Sequence, residues 1–226
     1  MTKLITSYHG QLVLKNITDL PPHITFEQYK KLKISILLYY KDKWTQQRQQ
    51  IIDRDILFIT YLWETGGRVW DVCNIQWRSF DMFSKFLELL IHKRRDKQGN
   101  RIKIKMPLSQ EIVNDTLLYL RKYNIKDDER IFPFTKQNAW DRVKKYADGI
   151  NFPKIMKTWK KGKQVESTLH PHLFRHGLAI YLLSQGVSIP IIAARLGHTN
   201  QRVTMDFYLK ITPEIQQNVL KDIPLR

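Results

Sequence analysis

The sequence predicts a mainly α-helical domain with a small antiparallel β-sheet, an α+β arrangement. Apolar residues recur at helical spacing through residues 25–64, again from 109 to 120, and once more from 172 onward. In the middle the period changes: Phe86–His92 and Arg101–Met106 are short runs rich in β-formers, separated by the turn-forming stretch Asp96–Asn100. The chain has 226 residues, 42% of them hydrophobic, enough for one sizeable core.

Taken in order, residues 1–24 read as an irregular arm ending at Pro21-Pro22, and residues 25–226 as one domain with no separate helical domain before it. Thr25 and Gln28 stand at the spacing of a capping box and open a first helix that includes Tyr29, Leu32, Ile34 and Leu37. A second helix spans about Arg48 to Glu64, with Ile51, Ile52, Ile56, Ile59 and Leu62 on its inner side. Gly66-Gly67 ends it, and a short helix follows around Trp70–Trp77. Pro107 closes the hairpin. Ser109 starts a helix carrying Ile112, Val113, Leu117 and Leu120, and residues 138–148 form another. The basic stretch Lys154–Ser167 reads as a loop with strand character. From His172 the pattern is helical, with breaks at Gln185-Gly186 and Gly197. Trp63, Trp70 and Trp77 recur every seven residues, which predicts core positions on one helical face rather than a base-stacking platform.

Charge narrows the function. Lys and Arg total 38 against 21 Asp and Glu, a formal charge of +17, and a phosphate backbone is the partner that most readily offsets such an excess. No apolar run approaches the roughly 20 residues of a membrane-spanning helix, and the N-terminus MTKLITSYHG lacks a signal peptide's apolar stretch. The single cysteine, Cys73, permits neither an internal disulfide nor a cysteine-based metal site. The expectation is an intracellular, cytoplasmic protein that binds double-stranded DNA and no membrane.

Four segments each place a cation or a nucleophile beside a turn. Arg68 follows Thr65-Gly66-Gly67; His172 and Arg175 sit in HPHLFRHGLA, with His176 next; His198 ends Leu196-Gly197-His198; Tyr208 lies in MDFYLK, ten positions further on. Developing charge on a phosphodiester calls for such groups. Arginine offers a planar fork of donors matched to phosphate oxygens and stays charged at any working pH. A phenol with a pKa near 10 needs a base or a strongly positive field before it attacks.

This set resembles the tyrosine recombinases of the phage integrase family. TGGRVWDV is similar to the family's first-arginine box, with Asp71 in the place of its acidic residue; HPHLFRHGLA is similar to the His-x-x-Arg box; LGHTNQRVTMDFY resembles the Leu-Gly-His box with its tyrosine. The resemblance covers about residues 22–215 and implies the integrase catalytic-domain fold. It further implies site-specific cleavage and rejoining of DNA, as in the integration or excision of mobile elements, through a 3′-phosphotyrosine without metal, ATP or other cofactor. The implied catalytic set is Arg68, Lys97, His172, Arg175, His198 and Tyr208. In it Tyr208 is the nucleophile, His172 its base, Arg68, Arg175 and His198 the phosphate donors, and a hairpin lysine the general acid. Lys97 at the hairpin tip fills that last place, with Lys93 and then Lys103 as alternatives, because the run to Pro107 is about two residues longer than the family's common pattern. The family acts as a tetramer on two duplexes, so a homo-tetramer on DNA is expected, with a monomer the alternative for the free protein. Residues 213–223 suit a helix, either exchanged between copies or folded back on its own domain.

Other readings compete. His170, His172 and His176 form a histidine-rich tract of the kind that binds metal. His172 and Arg175 also suit a buried polar pair that caps a helix. Ser188–Ala194, Gly197 and Gln201–Leu209 read as a helix-turn-helix, which makes a non-catalytic DNA-binding protein the rival function. A topoisomerase of type IB, which uses a similar residue set, is the rival within the same chemistry.

Overall fold

The structure is a computed structural model and describes residues 22–81, 83–153, 155–158 and 164–197, with backbone alone at 155–158 and 164–167. Among these residues the fold is mostly helical with a three-stranded antiparallel sheet, as the sequence predicts. Helix α1 (Phe26–Tyr40) starts at Thr25, whose side chain accepts the Gln28 N–H while the Gln28 side chain accepts the Thr25 N–H. Its inward face is Tyr29, Leu32, Ile36 and Tyr40. Ile34 and Leu37 lie on the other side, more than half exposed.

Helix α2 (Gln46–Thr65) is the hub. It begins at Thr45, packs against α1 and three later helices, and buries Ile52, Leu57, Phe58, Ile59, Tyr61 and Leu62. Ile51 and Ile56 flank that face half-buried. Gly66 ends the helix in the left-handed region at φ +55°, and a Cβ there would lie 2.6 Å from Leu196 Cδ2. The turn therefore needs glycine for its backbone angle, and the Leu196 and Leu178 side chains pack closely over it.

After the turn comes α3 (Val69–Cys73) and then the sheet: β1 (Phe80–Asp81), β2 (Phe86–Arg95) and β3 (Arg101–Pro107) in the order β1-β2-β3. Leu87, Leu89 and Ile91 alternate inward from β2. The register runs evenly from Phe86↔Pro107 to Ile91↔Ile102 and then jumps to Arg95↔Arg101. His92, Lys93 and Arg94 thus face no strand partner. Asp96 closes the tip by accepting the backbone N–H groups of Gln98 and Asn100.

Helix α4 (Gln110–Lys122) starts at Ser109 and packs on α2. Helix α5 (Lys136–Ala147) packs against α1 and α3. The strands β4 (Ile155–Thr158) and β5 (Gln164–Ser167) pair as an antiparallel ribbon, in keeping with the strand character expected of that stretch. Helix α6 (Pro171–Ser184) lies on α2, and α7 (Ile189–Leu196) lies on α6.

The seven-residue tryptophan spacing corresponds to no common face. Trp63 is buried in α2, Trp70 stands 39% exposed on α3, and Trp77 opens a 3₁₀ turn, because the Gly66-Gly67 break resets the helical phase between them. Cys73 is buried, and burial pushes its thiol up to about 12, so it is an inert core residue.

The chain entering α1 is fixed to α6. The Ile24 N–H donates to the Leu173 carbonyl at 3.3 Å, the Ile24 side chain is fully buried, and His176 Nδ1 lies 3.1 Å from the Pro22 carbonyl. Gly177 makes this approach possible, since a Cβ there would sit 2.1 Å from the Ile24 carbonyl oxygen. Gly177→Ala therefore has to push residues 22–24 off α6. An overpacking cost of about 1–3 kcal/mol is expected, read as a fall in Tm of roughly 2–4 °C per kcal/mol for a chain of this size. Limited proteolysis ahead of Phe26 should accelerate in parallel. An unchanged Tm and cleavage rate would contradict the contact.

Candidate active site

The α2–α3 turn, the irregular end of β2 and the N-termini of α5 and α6 surround a half-open cleft of about 510 Å³. Arg68, Val69, Trp70, Asp71, His92, Lys93, Lys136, Trp140, Pro171 and His172 line it. Each element delivers its residue for a local reason. Arg68 is the N-cap of α3, with extended backbone (φ −69°, ψ 146°), so its side chain leaves the turn at the helix start. Pro171 is the first residue of α6, where a missing N–H costs nothing, and His172 follows on that first turn. His92 and Lys93 both reach the cleft because they lie in the stretch of β2 without strand partners. A regular strand would send neighbours to opposite faces.

Arg68 carries the most telling detail. Among the described residues it pairs only loosely, with Asp71 Oδ2 at 4.0 Å from its buried Nη1, and that nitrogen has no hydrogen-bond partner there. Asp71 is itself buried and spends Oδ1 on β2. It accepts the His92 backbone N–H at 2.9 Å, and the His92 ring Nδ1 lies 3.2 Å from the same oxygen. An unmet buried donor on a cation costs about 1–3 kcal/mol or more, a cost that an arriving anion removes. Nearby cations point the same way. Arg94 is held below the usual arginine range by burial and by the charge of Arg68.

His172 is pushed down to about 4, first by burial and then by the positive charges of His176, Arg175, His170 and Arg68 around it. It is therefore a neutral imidazole at physiological pH, able to take a proton. Its ring meets that of His176 edge-on, with centroids 4.7 Å apart.

Arg175, three residues along α6, is buried and acts as a helix-end clamp. It donates to the Gly66 carbonyl at 2.8 Å and to the Leu196 carbonyl. Arg195, which sequence reasoning passed over, does a similar job from α7. It donates through Nε and Nη2 to the Glu64 carbonyl and through Nη1 to the Pro107 carbonyl. Neither guanidinium lines the cleft.

The structure thus brings Arg68 and His172 into one cleft and sets Arg175 behind its wall. Lys97 is exposed at the hairpin tip, away from the lining, whereas Lys93 is part of it. Lys103 pairs with Glu88 at 3.0 Å on the sheet. His198, Tyr208 and residues 213–223 lie outside the described residues, as does the second helix of the helix-turn-helix reading. Sequence reasoning missed His92, Lys136 and Trp140 as lining residues. The helix expected over 138–148 leaves Lys136 out, whereas α5 begins at Lys136 and sets it one turn from Trp140. The histidine tract does not converge. His170 stacks on Trp140, His176 turns to Pro22, and among the described residues no three His, Cys, Asp or Glu are grouped as metal ligands. Also among the described residues, no helix is long and apolar enough to cross a membrane.

The model of the Phage integrase family matches residues 33–214. The chain is 28% identical over 193 residues to the tyrosine recombinase XerA of Pyrococcus furiosus, covering 85% of this chain and 58% of that one. It is 25% identical over 166 residues to a tyrosine recombinase of Thermosipho africanus, covering 73% and 52%. It thus spans little more than half the length of these curated relatives. Among solved structures, a XerA recombinase superposes with a TM-score of 0.63 at 18% identity, covering 94% of this chain and 66% of that one. A XerH site-specific recombinase bound to its difH substrate gives 0.56 at 19%, covering 93% and 57%. These structures share the fold.

The depressed pKa of His172 has a measurable consequence. The unfolded chain takes up a proton near the ordinary histidine value of about 6.5, whereas the folded chain resists until about 4. Stability attached to His172 is therefore fully present above pH 6.5 and is lost as pH falls from there toward 4. Denaturant unfolding of wild type and His172→Gln from pH 7.5 to 4.5 should show the wild type losing more stability over that interval. Parallel curves would contradict a buried neutral imidazole.

Proposed function

Because this chain belongs to the phage integrase family, we propose that it is the catalytic part of a tyrosine-type site-specific recombinase that cuts and rejoins double-stranded DNA through Tyr208. The observation that supports this most is the pairing, in one cleft, of a buried arginine donor with no partner among the described residues and an imidazole held neutral.

In this reading the scissile phosphate enters the cleft and takes the open Nη1 donor of Arg68. His198 adds a further donor, and Arg175, on the same face of α6 as His172, supports the phosphate from behind. The Tyr208 hydroxyl attacks phosphorus while its proton passes to neutral His172. The bond from phosphorus to the 5′ oxygen breaks, a lysine gives that oxygen its proton, and the strand is left joined to Tyr208 by a 3′-phosphotyrosine. Attack by a 5′ hydroxyl in reverse rejoins the strand, so the bond energy is conserved and no ATP is consumed. The positive groups neutralise the charge of the transition state, the role a metal ion plays elsewhere. Lys97 is the family's candidate for the acid. Lys93 competes with it because it lines the cleft. The acting assembly is a homo-tetramer on DNA, formed from a protein that can be monomeric when free.

A half-site duplex, nicked so that cleavage is trapped and incubated in EDTA, should give a covalent adduct on the DNA 3′ end. Tyr208→Phe should abolish it, and Arg68→Ala should slow it about 10²- to 10³-fold, the usual effect of removing one such donor. Of Lys93→Ala and Lys97→Ala, the variant that lacks the acid should recover on a substrate with sulfur in place of the 5′ bridging oxygen, because a thiolate leaves without a proton. An adduct that persists in Tyr208→Phe would overturn the assignment.

A further inference from the structure

The cleft is larger and more apolar than a phosphate needs. Arg68, Lys93 and Lys136 bring charge to it, yet two indoles also form its walls, Trp70 at 39% and Trp140 at 38% exposure. Large aromatics left this open beside a cationic site are a recognition surface more often than leftover core. Each indole is packed against a histidine ring. Trp140 stacks nearly parallel on buried His170, with centroids 5.0 Å apart and 13° between planes, and Trp70 meets His92 edge-on at 5.9 Å and 66°. Walls packed in advance lose little entropy when a ligand arrives. Trp140 also borders a second, smaller hollow of about 240 Å³, so its indole stands between the two.

We propose that the cleft holds, beside the phosphate, one nucleobase turned out of the DNA stack and laid against Trp70 and Trp140. This rests on reading the cleft as the phosphate site. Every base has a π-face, so aromatic walls accept it without regard to sequence, while the cations beside them take its phosphate. Turning a base out of a duplex is costly, and contact with the two indoles offsets part of that cost. Trp70 and Trp140 are positioning residues in this scheme. They hold the strand so that its phosphate meets Arg68 and His172.

The test separates base from backbone and does not depend on a target site or on cleavage. Two labelled ten-unit strands are compared by fluorescence anisotropy at fixed salt: oligothymidylate, and a chain of abasic sugar-phosphate units with equal charge. The backbone contribution is then the same for both. Wild type should bind the thymidylate about tenfold tighter or more. The preference should vanish in a Trp70→Ala/Trp140→Ala variant and largely survive in Trp70→Phe/Trp140→Phe, which keeps an aromatic face should the alanine variant fold poorly. Trp44→Ala, at an exposed tryptophan away from the cleft, and Tyr208→Phe should both keep it. Equal affinity of wild type for the two strands overturns the proposal, and so does a preference that persists without the two indoles. An intact preference alongside absent adduct formation would sink the recombinase reading alone.

Discussion

The guanidinium of Arg175 joins the ends of two helices. From α6 it donates to the Gly66 carbonyl at the end of α2 and to the Leu196 carbonyl at the end of α7. Helix C-termini carry partial negative charge, so a buried cation there is stabilised by both partners. Arg195 repeats the device from α7, reaching the Glu64 and Pro107 carbonyls. The consequence is positional. Arg68 lies two residues beyond Gly66, and His198 two residues beyond Leu196. One buried side chain thereby fixes the starting points of both segments relative to α6, which carries His172. The glycines allow it: Gly66 takes a positive φ against Leu196 and Leu178, and Gly197 takes another against Ile104.

On that frame the cleft is electrostatically unfinished. Asp71 is the acid that faces Arg68, and its better-placed oxygen is committed to His92, which leaves the guanidinium 4.0 Å from the other. Asp71 therefore orients Arg68 more than it neutralises it. Burial first, and then the same positive charge that leaves room for an anion, hold His172 neutral. One cleft thus supplies both a donor for phosphate and an acceptor for a proton.

Much of this was legible in the sequence where the signal is local. The Thr25–Gln28 capping box, the Ser109 cap, the Gly66 stop and the Asp96–Asn100 tip all formed as read, because each is decided by a few adjacent residues. Arg68 and His172 were legible from their motifs and do meet in the cleft. What escaped depends on geometry over longer range. The heptad of tryptophans misled because a glycine turn lies inside it, so sequence spacing no longer measured angle around one helix. Lys93 against Lys97 was undecidable because the extra residues of β2 collect at 92–94, and strand pairing alone reveals that. Arg175 was legible from its motif, but the carbonyls it binds were not, and Arg195 looks like any exposed arginine until tertiary packing brings its carbonyls beside it.

The central claim is that an anion belongs between Arg68 and His172. Crystals soaked in tungstate, a tetrahedral oxyanion with a strong anomalous signal, test it directly. The account predicts an anomalous peak in the cleft within hydrogen-bond distance of Arg68 Nη1 and facing the His172 ring. An empty cleft, with Arg68 drawn onto Asp71 and the oxyanion bound elsewhere on the basic surface, would contradict it.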